Sequence, residues 1–175
     1  MKRLALAALL IGAPVSAPAQ SMNVRLITEQ VVRDICGPFI ETGDMWPAIA
    51  AAESAGYGVV HVWPDTIRIG AADRQPEPSE IEMRGSHAGT IRIRERADLL
   101  VCSVGIAEGG VRTIAETAEP HLRALGFAPV LDERELPLAV SVWRRDDAMV
   151  VIASSSEFRP GAELTLSRRT GDQAG

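Results

Sequence analysis

The amino-acid sequence predicts an α+β domain, with two N-terminal helices and one mid-chain helix packed on one face of an antiparallel sheet of about five to seven strands. Three observations carry this reading. Apolar periodicity changes from helical to alternating after Gly56, it returns to helical only after Gly110, and the alternating stretches are joined by connections short enough for neighbouring strands to pair antiparallel. Strands do not alternate with crossover helices, which disfavours a doubly wound parallel sheet.

From Asn23 to about Ile40, the residues Val24, Ile27, Val31, Ile35 and Phe39 recur three or four apart and lay one apolar face on a helix. Gly37-Pro38 should end or kink it, because proline lacks an N–H donor and crowds the preceding turn. A second helix spans Met45 to Ala55, with Asp44 as N-cap, Pro47 in the tolerant first turn and Gly56 as the stop. Alternation then marks Tyr57 to Trp63 and Thr66-Ile67-Arg68-Ile69, while Gly70 to Ser79 reads as a loop. Ile81 and Met83, then Ile91 and Ile93 beyond the Gly85 to Gly89 turn, form a hairpin signal. Leu99 to Ile106 is apolar enough for a buried central strand. A third helix from Val111 to Leu125 buries Ile114, Ala118, Leu122 and Leu125 and ends at Gly126. Pro120 lies inside it, so either the helix bends or two short helices meet there. Strands over Leu138 to Arg144, Ala148 to Ala153 and Glu163 to Arg168 follow, and residues 170–175 read as a flexible tail. The recurrence of Thr-Ile-Arg-Ile at residues 66–69 and 90–93 is too short to count as an internal repeat.

Ahead of these elements, Lys2 and Arg3 precede an apolar run from Leu4 to Ile11, a Gly12-Ala13-Pro14 breaker, and the small residues Ala17 and Ala19. That order reads as a cleavable signal peptide over residues 1–19, with the mature chain starting at Gln20. The run is about half of the roughly 20 residues needed to span a bilayer, so no membrane span is expected after cleavage. Cleavage removes 19 residues and two positive charges, taking the 175-residue chain at −5 to 156 residues at −7, a single domain over residues 20–169. Net acidity and the lack of a basic tract make nucleic acid an unsuitable partner. A periplasmic or secreted location follows, and there the two cysteines, Cys36 and Cys102, are expected to form a disulfide pinning the first helix to the middle of the sheet.

An early helix ending in Cys36, a middle strand reading Val101-Cys102-Ser103-Val104 and a helix ending Leu125-Gly126-Phe127 together resemble small exported proteins of Gram-negative bacteria with no assigned activity. The resemblance implies a fold and a location, and no chemistry.

Candidate chemistry is sparse. Ser103 lacks the upstream glycine of a nucleophile elbow. His61, His87 and His121 show no ligand spacing, so neither a metal nor another cofactor is expected. Ser86 and His87 form an exposed polar pair in a glycine-flanked turn. Glu108 precedes Gly109-Gly110 at a strand-to-helix junction, where backbone donors can hold an anion or the helix is simply capped. Arg92, Arg94 and Arg96 share one side of a strand by their period of two, joined by Arg68 from a neighbouring strand. That stripe reads either as an anion-binding face or as a solvated face interleaved with Glu80, Glu82 and Glu95. Two functional classes result. The first is a non-enzymatic binding or accessory protein of the cell envelope, its partner an envelope protein or an anionic polymer. The second is a small envelope-polymer hydrolase using Ser86, His87 and Glu108.

Overall fold

The computed structural model describes residues 17–64, 78–85, 89–96, 98–134, 139–155 and 161–171. The expected charged and apolar start of the leader, the strand at 66–69, the candidates Arg68, Ser86 and His87, and the tail from 172 lie outside the described residues.

The chain is α+β with one antiparallel sheet of eight strands, one more than the upper expectation. In order the elements are α1 (Ala17–Gln30), a π-helical turn (Val31–Cys36), α2 (Gly37–Thr42), α3 (Met45–Ser54), β1 (Tyr57–Pro64), β2 (Pro78–Gly85), β3 (Thr90–Arg96), β4 (Leu99–Ile106), α4 (Val111–Ala124), β5 (Ala128–Glu133), β6 (Val140–Arg145), β7 (Ala148–Ser154) and β8 (Ala162–Arg169). Asp44 caps α3 as the sequence indicates, its side chain accepting from the Trp46 N–H at 3.0 Å.

Gly37-Pro38 does not end the first helix. The π turn precedes it, with the Gly37 N–H donating to the Val32 carbonyl five residues back, and helix continues to Thr42. Widening the ladder by one residue just before the proline accommodates the missing donor and the ring. In the same stretch Val31, Val32, Ile35, Cys36, Phe39 and Ile40 are all buried. Pro120 does not divide α4 either, and one helix runs through it with the proline on the exposed side. The Thr170 N–H donates to the Asp98 carbonyl at 3.0 Å.

The strand missed by sequence reading is β5. All six of its residues are exposed and Pro129 interrupts it, so no alternating apolar signal marks it. It is an edge strand, and proline is tolerated there because one side of the ladder has no partner.

The sheet order β1-β2-β3-β4-β8-β7-β6-β5 reads as two four-stranded meanders joined back to back through the antiparallel β4–β8 pair. Each meander follows a helix, and the two helix-to-strand junctions match in detail. Ala55 and Leu125 close their helices at φ −84, ψ 3 and φ −81, ψ 4, and each is followed by a left-handed glycine, Gly56 at φ 88 and Gly126 at φ 83. The N–H of Gly56 reaches the Glu53 carbonyl at 2.9 Å and that of Gly126 the Arg123 carbonyl at 3.0 Å. Buried aromatics come next, Tyr57 and Phe127. The following strands then bulge at matching places, between Val59 and His61 in β1 and between Pro129 and Leu131 in β5. The two halves of the sheet are therefore a duplication of strand order and junction geometry, with an approximate dyad between β4 and β8. Of these matched features only the glycines, Gly56 and Gly126, are the same residue, and the others are backbone conformation and aromatic class.

The core lies between helices and sheet. One cross-strand row runs Ile81, Ile93, Cys102, Leu166, Val150 and Trp143, all buried. Burying side chains of this kind stabilises by about 1.5–3 kcal/mol each. α2 packs on β4 and β8, α3 beside β1, and α4 on β6, β7 and β8. Cys36 and Cys102, 66 positions apart in sequence, form a disulfide with Cα atoms 5.4 Å apart, tying the end of the π turn to a central strand.

Candidate functional site

Because strand side chains alternate, each residue that feeds the core has neighbours aimed at the opposite face. With Ile91 and Ile93 in the core, Arg92, Arg94 and Arg96 point away from the helices. The same parity sends Glu80, Glu82 and Arg84 from β2, Val101 and Ser103 from β4, and Glu163, Thr165 and Ser167 from β8 to that helix-free face.

Register then decides the fate of the arginine stripe. Arg94 lies directly opposite Glu80, and Arg92 opposite Glu82. Arg94 donates from Nε and Nη2 to the two oxygens of Glu80 at 2.8 and 2.7 Å. Arg92 Nε donates to Glu82 Oε2 at 3.1 Å, and Arg84 Nη2 to Glu82 Oε1 at 3.1 Å. The hydrogen bonds from Arg94 to Glu80 push the guanidinium of Arg94 further above its ordinary value. Opposite charges paired across strands contribute about 0.2–1 kcal/mol each, so their main effect is to fix where the guanidinium planes lie. Glu80 and Glu82 thus interleave with the stripe and make it a mixed-charge lattice. Arg96 sits exposed at the end of β3, opposite Leu99. Glu95 is also exposed, but by parity it belongs to the other face.

Beside the lattice lies a cleft of about 190 Å³ lined by Arg92, Arg94, Val101, Ser103, Glu163 and Thr165. Ser103 and Thr165 stand opposite each other across the β4–β8 junction, so the cleft straddles the approximate dyad. Its chemistry combines guanidinium donors, two hydroxyls that donate and accept, and one carboxylate.

Farther along the same face the character changes. On β6 and β7 the helix side buries Trp143, Ala148, Val150 and Ile152 beside Ser141, and the helix-free side carries Val140, Val142, Met149, Val151 and Ala153, with the exposed Arg144 opposite Met149. Leu131 of β5 pairs with Val142 and joins them. An antiparallel sheet with one covered face usually alternates apolar and polar residues, and β7 departs from that alternation. Here α4 covers one side.

The remaining sequence candidates do not converge on this face. Ser103 is in the cleft, and the histidine in its cross-strand row is His61, three strand spacings or about 14 Å away. His121 is on α4, across the sheet. Glu108 is exposed ahead of α4, whose N-cap Gly110 receives no side-chain cap. Gly109 has its own steric reason: at φ +98, an added Cβ would stand 2.7 Å from Val24 Cγ1. Among the described residues, no three His, Cys, Asp or Glu side chains are grouped to hold a metal, and no helix is long and apolar enough to cross a membrane. Sequence reading missed Val101, Glu163 and Thr165. The alternation of Ala162, Leu164 and Leu166 signals which way Glu163 and Thr165 point, but nothing local signals that β8 lies beside β4.

Comparison with protein-family models, curated sequences and solved structures finds no match to this chain.

Proposed function

We propose that the chain is an exported, non-enzymatic binding protein of the cell envelope, and that the helix-free face of its sheet is the surface on which a protein partner sits. The observation that carries the reading is the apolar cluster on β5, β6 and β7, where Val140, Val142, Met149, Val151 and Leu131 stand together on the face without helices, with Arg144 at its margin. An apolar patch bordered by charged groups has the anatomy of a protein interface. The neighbouring Arg–Glu lattice and the Ser103–Thr165 cleft would supply directional polar contacts at its border. Since Glu80 and Glu82 take part in the lattice, its charges suit the mixed surface of a protein better than an anionic polymer. Export is supported by the order of charged, apolar and small residues over 1–19 and by the disulfide, a bond that persists in oxidising compartments.

The test is retention in native envelope fractions. Val151→Lys places a charge in the middle of the patch and is expected to reduce retention about tenfold, an effect corresponding to roughly 1.4 kcal/mol. Glu116→Lys, on the exposed surface of α4, serves as the control and is expected to change nothing. Retention unaffected by Val151→Lys would remove the face from consideration, and accumulation of uncleaved chain in the cytoplasm would remove the export.

A further inference from the structure

The two edges of the sheet, β1 and β5, occupy matching places in the duplication, but they are defended differently. An edge strand offers unpaired backbone groups to any other strand, and proteins protect such edges with charge, proline or bulges. Both edges carry the bulge. β5 adds Pro129, Asp132 and Glu133, and Asp132 is clamped by Arg134 Nε at 2.6 Å. β1 carries no charged residue from Tyr57 to Pro64. Along it Val59 is 42 %, Val60 51 %, Val62 49 % and Trp63 38 % exposed, with His61 exposed between them. α3, which packs beside β1, carries Trp46 at 62 % exposure.

From this contrast we infer that β1 is a self-association edge, and that two copies of the chain join through it into one continuous sheet about a twofold axis. Self-complementarity favours a second copy as the occupant. In an antiparallel pair about a dyad near His61, valines face valines or Trp63 and His61 faces its own copy, and no carboxylate or guanidinium meets its like, although the chain as a whole carries −5. Closure follows from the other edge. With β5 blunted, each copy has one adhesive edge, so pairing ends at two chains, whereas two such edges would propagate a fibre. The contact uses neither the patch on β6 and β7 nor the cleft, and it stands apart from the partner surface proposed above.

Sedimentation of the purified chain tests this. The wild type is expected to be a dimer, and Val60→Lys and Val62→Lys are each expected to be monomers with unchanged far-UV circular dichroism. Val130→Lys, at the matching bulge of β5, and Val151→Lys, on the helix-free face, are expected to remain dimers. A monomeric wild type would overturn the inference, as would a dimer that survives both β1 substitutions or dissolves equally with Val151→Lys. If the β1 variants misfold, amide exchange of the wild type decides. Protection of β1 that rises with protein concentration supports the dimer edge, and protection indifferent to concentration refutes it.

Discussion

The two units of the duplication share a topology but are secured by different chemistry. In the first, the helical layer is bolted to β4 by the Cys36–Cys102 disulfide. In the second, an ionic and aromatic network ties the edge to the helix. Arg134 donates to Asp132 and, at 2.9 Å, to Glu119 of α4, Arg123 donates to the same Glu119, and its guanidinium sits 5.4 Å from the ring centroid of Trp143. Trp143 Nε1 donates to Ser141 Oγ at 2.9 Å, and that hydroxyl donates to Asp132 at 3.0 Å. One strand order thus tolerates two means of fixing a helical layer to a meander. The ionic solution also places charge on the edge it secures, and the covalent one leaves its edge apolar.

Breaking the covalent tie should have the largest effect. Replacing Cys36 and Cys102 together by Ala is expected to lower the unfolding free energy by about 4 kcal/mol, the chain-entropy value for a loop of this length. Urea denaturation with and without reductant measures it, and reductant should have no further effect on the double variant. An equal midpoint for oxidised and reduced wild type would mean that the bolt is not what secures the first unit.

The matched junctions come next. Gly56→Ala and Gly126→Ala each force a side chain into the left-handed region, at about 1–2 kcal/mol. Gly126→Ala should be the worse of the two, because its Cβ would stand 3.2 Å from Arg145 Cδ, whereas Gly56 has open space. Thermal melts of the pair read the difference.

Removing the ionic tie by Arg134→Gln should destabilise by about 1–2 kcal/mol, a range set by charge-assisted bonds that are partly exposed. Hydrogen bonds from Arg134 hold the carboxyls of Asp132 and Glu119 below the usual carboxylate range. A depressed folded value contributes stability above the unfolded value of about pH 4, and this is lost as pH falls through the folded values. Stability measured between neutral pH and acid should therefore fall less steeply in the variant than in the wild type.

The smallest expected effect lies at the matched aromatics. The hydroxyl of Tyr57 is buried without a hydrogen-bond partner, and burial pushes its ionisation up to about 12. Its counterpart Phe127 has no hydroxyl to satisfy. Tyr57→Phe should stabilise the protein by up to about 1 kcal/mol. A raised folded value means that stability is intact below the unfolded value of about pH 10 and is lost as pH climbs toward 12. Tyr57 is the chain's one tyrosine, so its ionisation absorbance reports this site alone and should rise toward pH 12 and not near pH 10, where an exposed tyrosine ionises.

Much of the fold was legible because most elements announce themselves locally. Apolar spacing located the helices, Asp44 marked its cap, and two-residue alternation in β3 and β8 told which side chains turn away from the core. The disulfide followed from two cysteines and an expected compartment. What stayed hidden was either featureless or distant. β5 is exposed throughout and broken by Pro129, so it leaves no pattern. The β4–β8 pair joins residues about sixty positions apart, and the cleft depends wholly on it. Arg92 and Arg94 were found as a stripe, but their partners among the neighbouring acids depended on a register that the turn between β2 and β3 sets.

The helix-free face is the surface proposed to bind a protein partner. Site-specific photo-cross-linking in intact cells tests it most directly, with the probe placed in turn at Val151 and Thr165 on that face and at Glu116 on α4. A discrete protein adduct is expected from Val151 and Thr165 and none from Glu116. An adduct from Glu116 with none from the other two positions would contradict it.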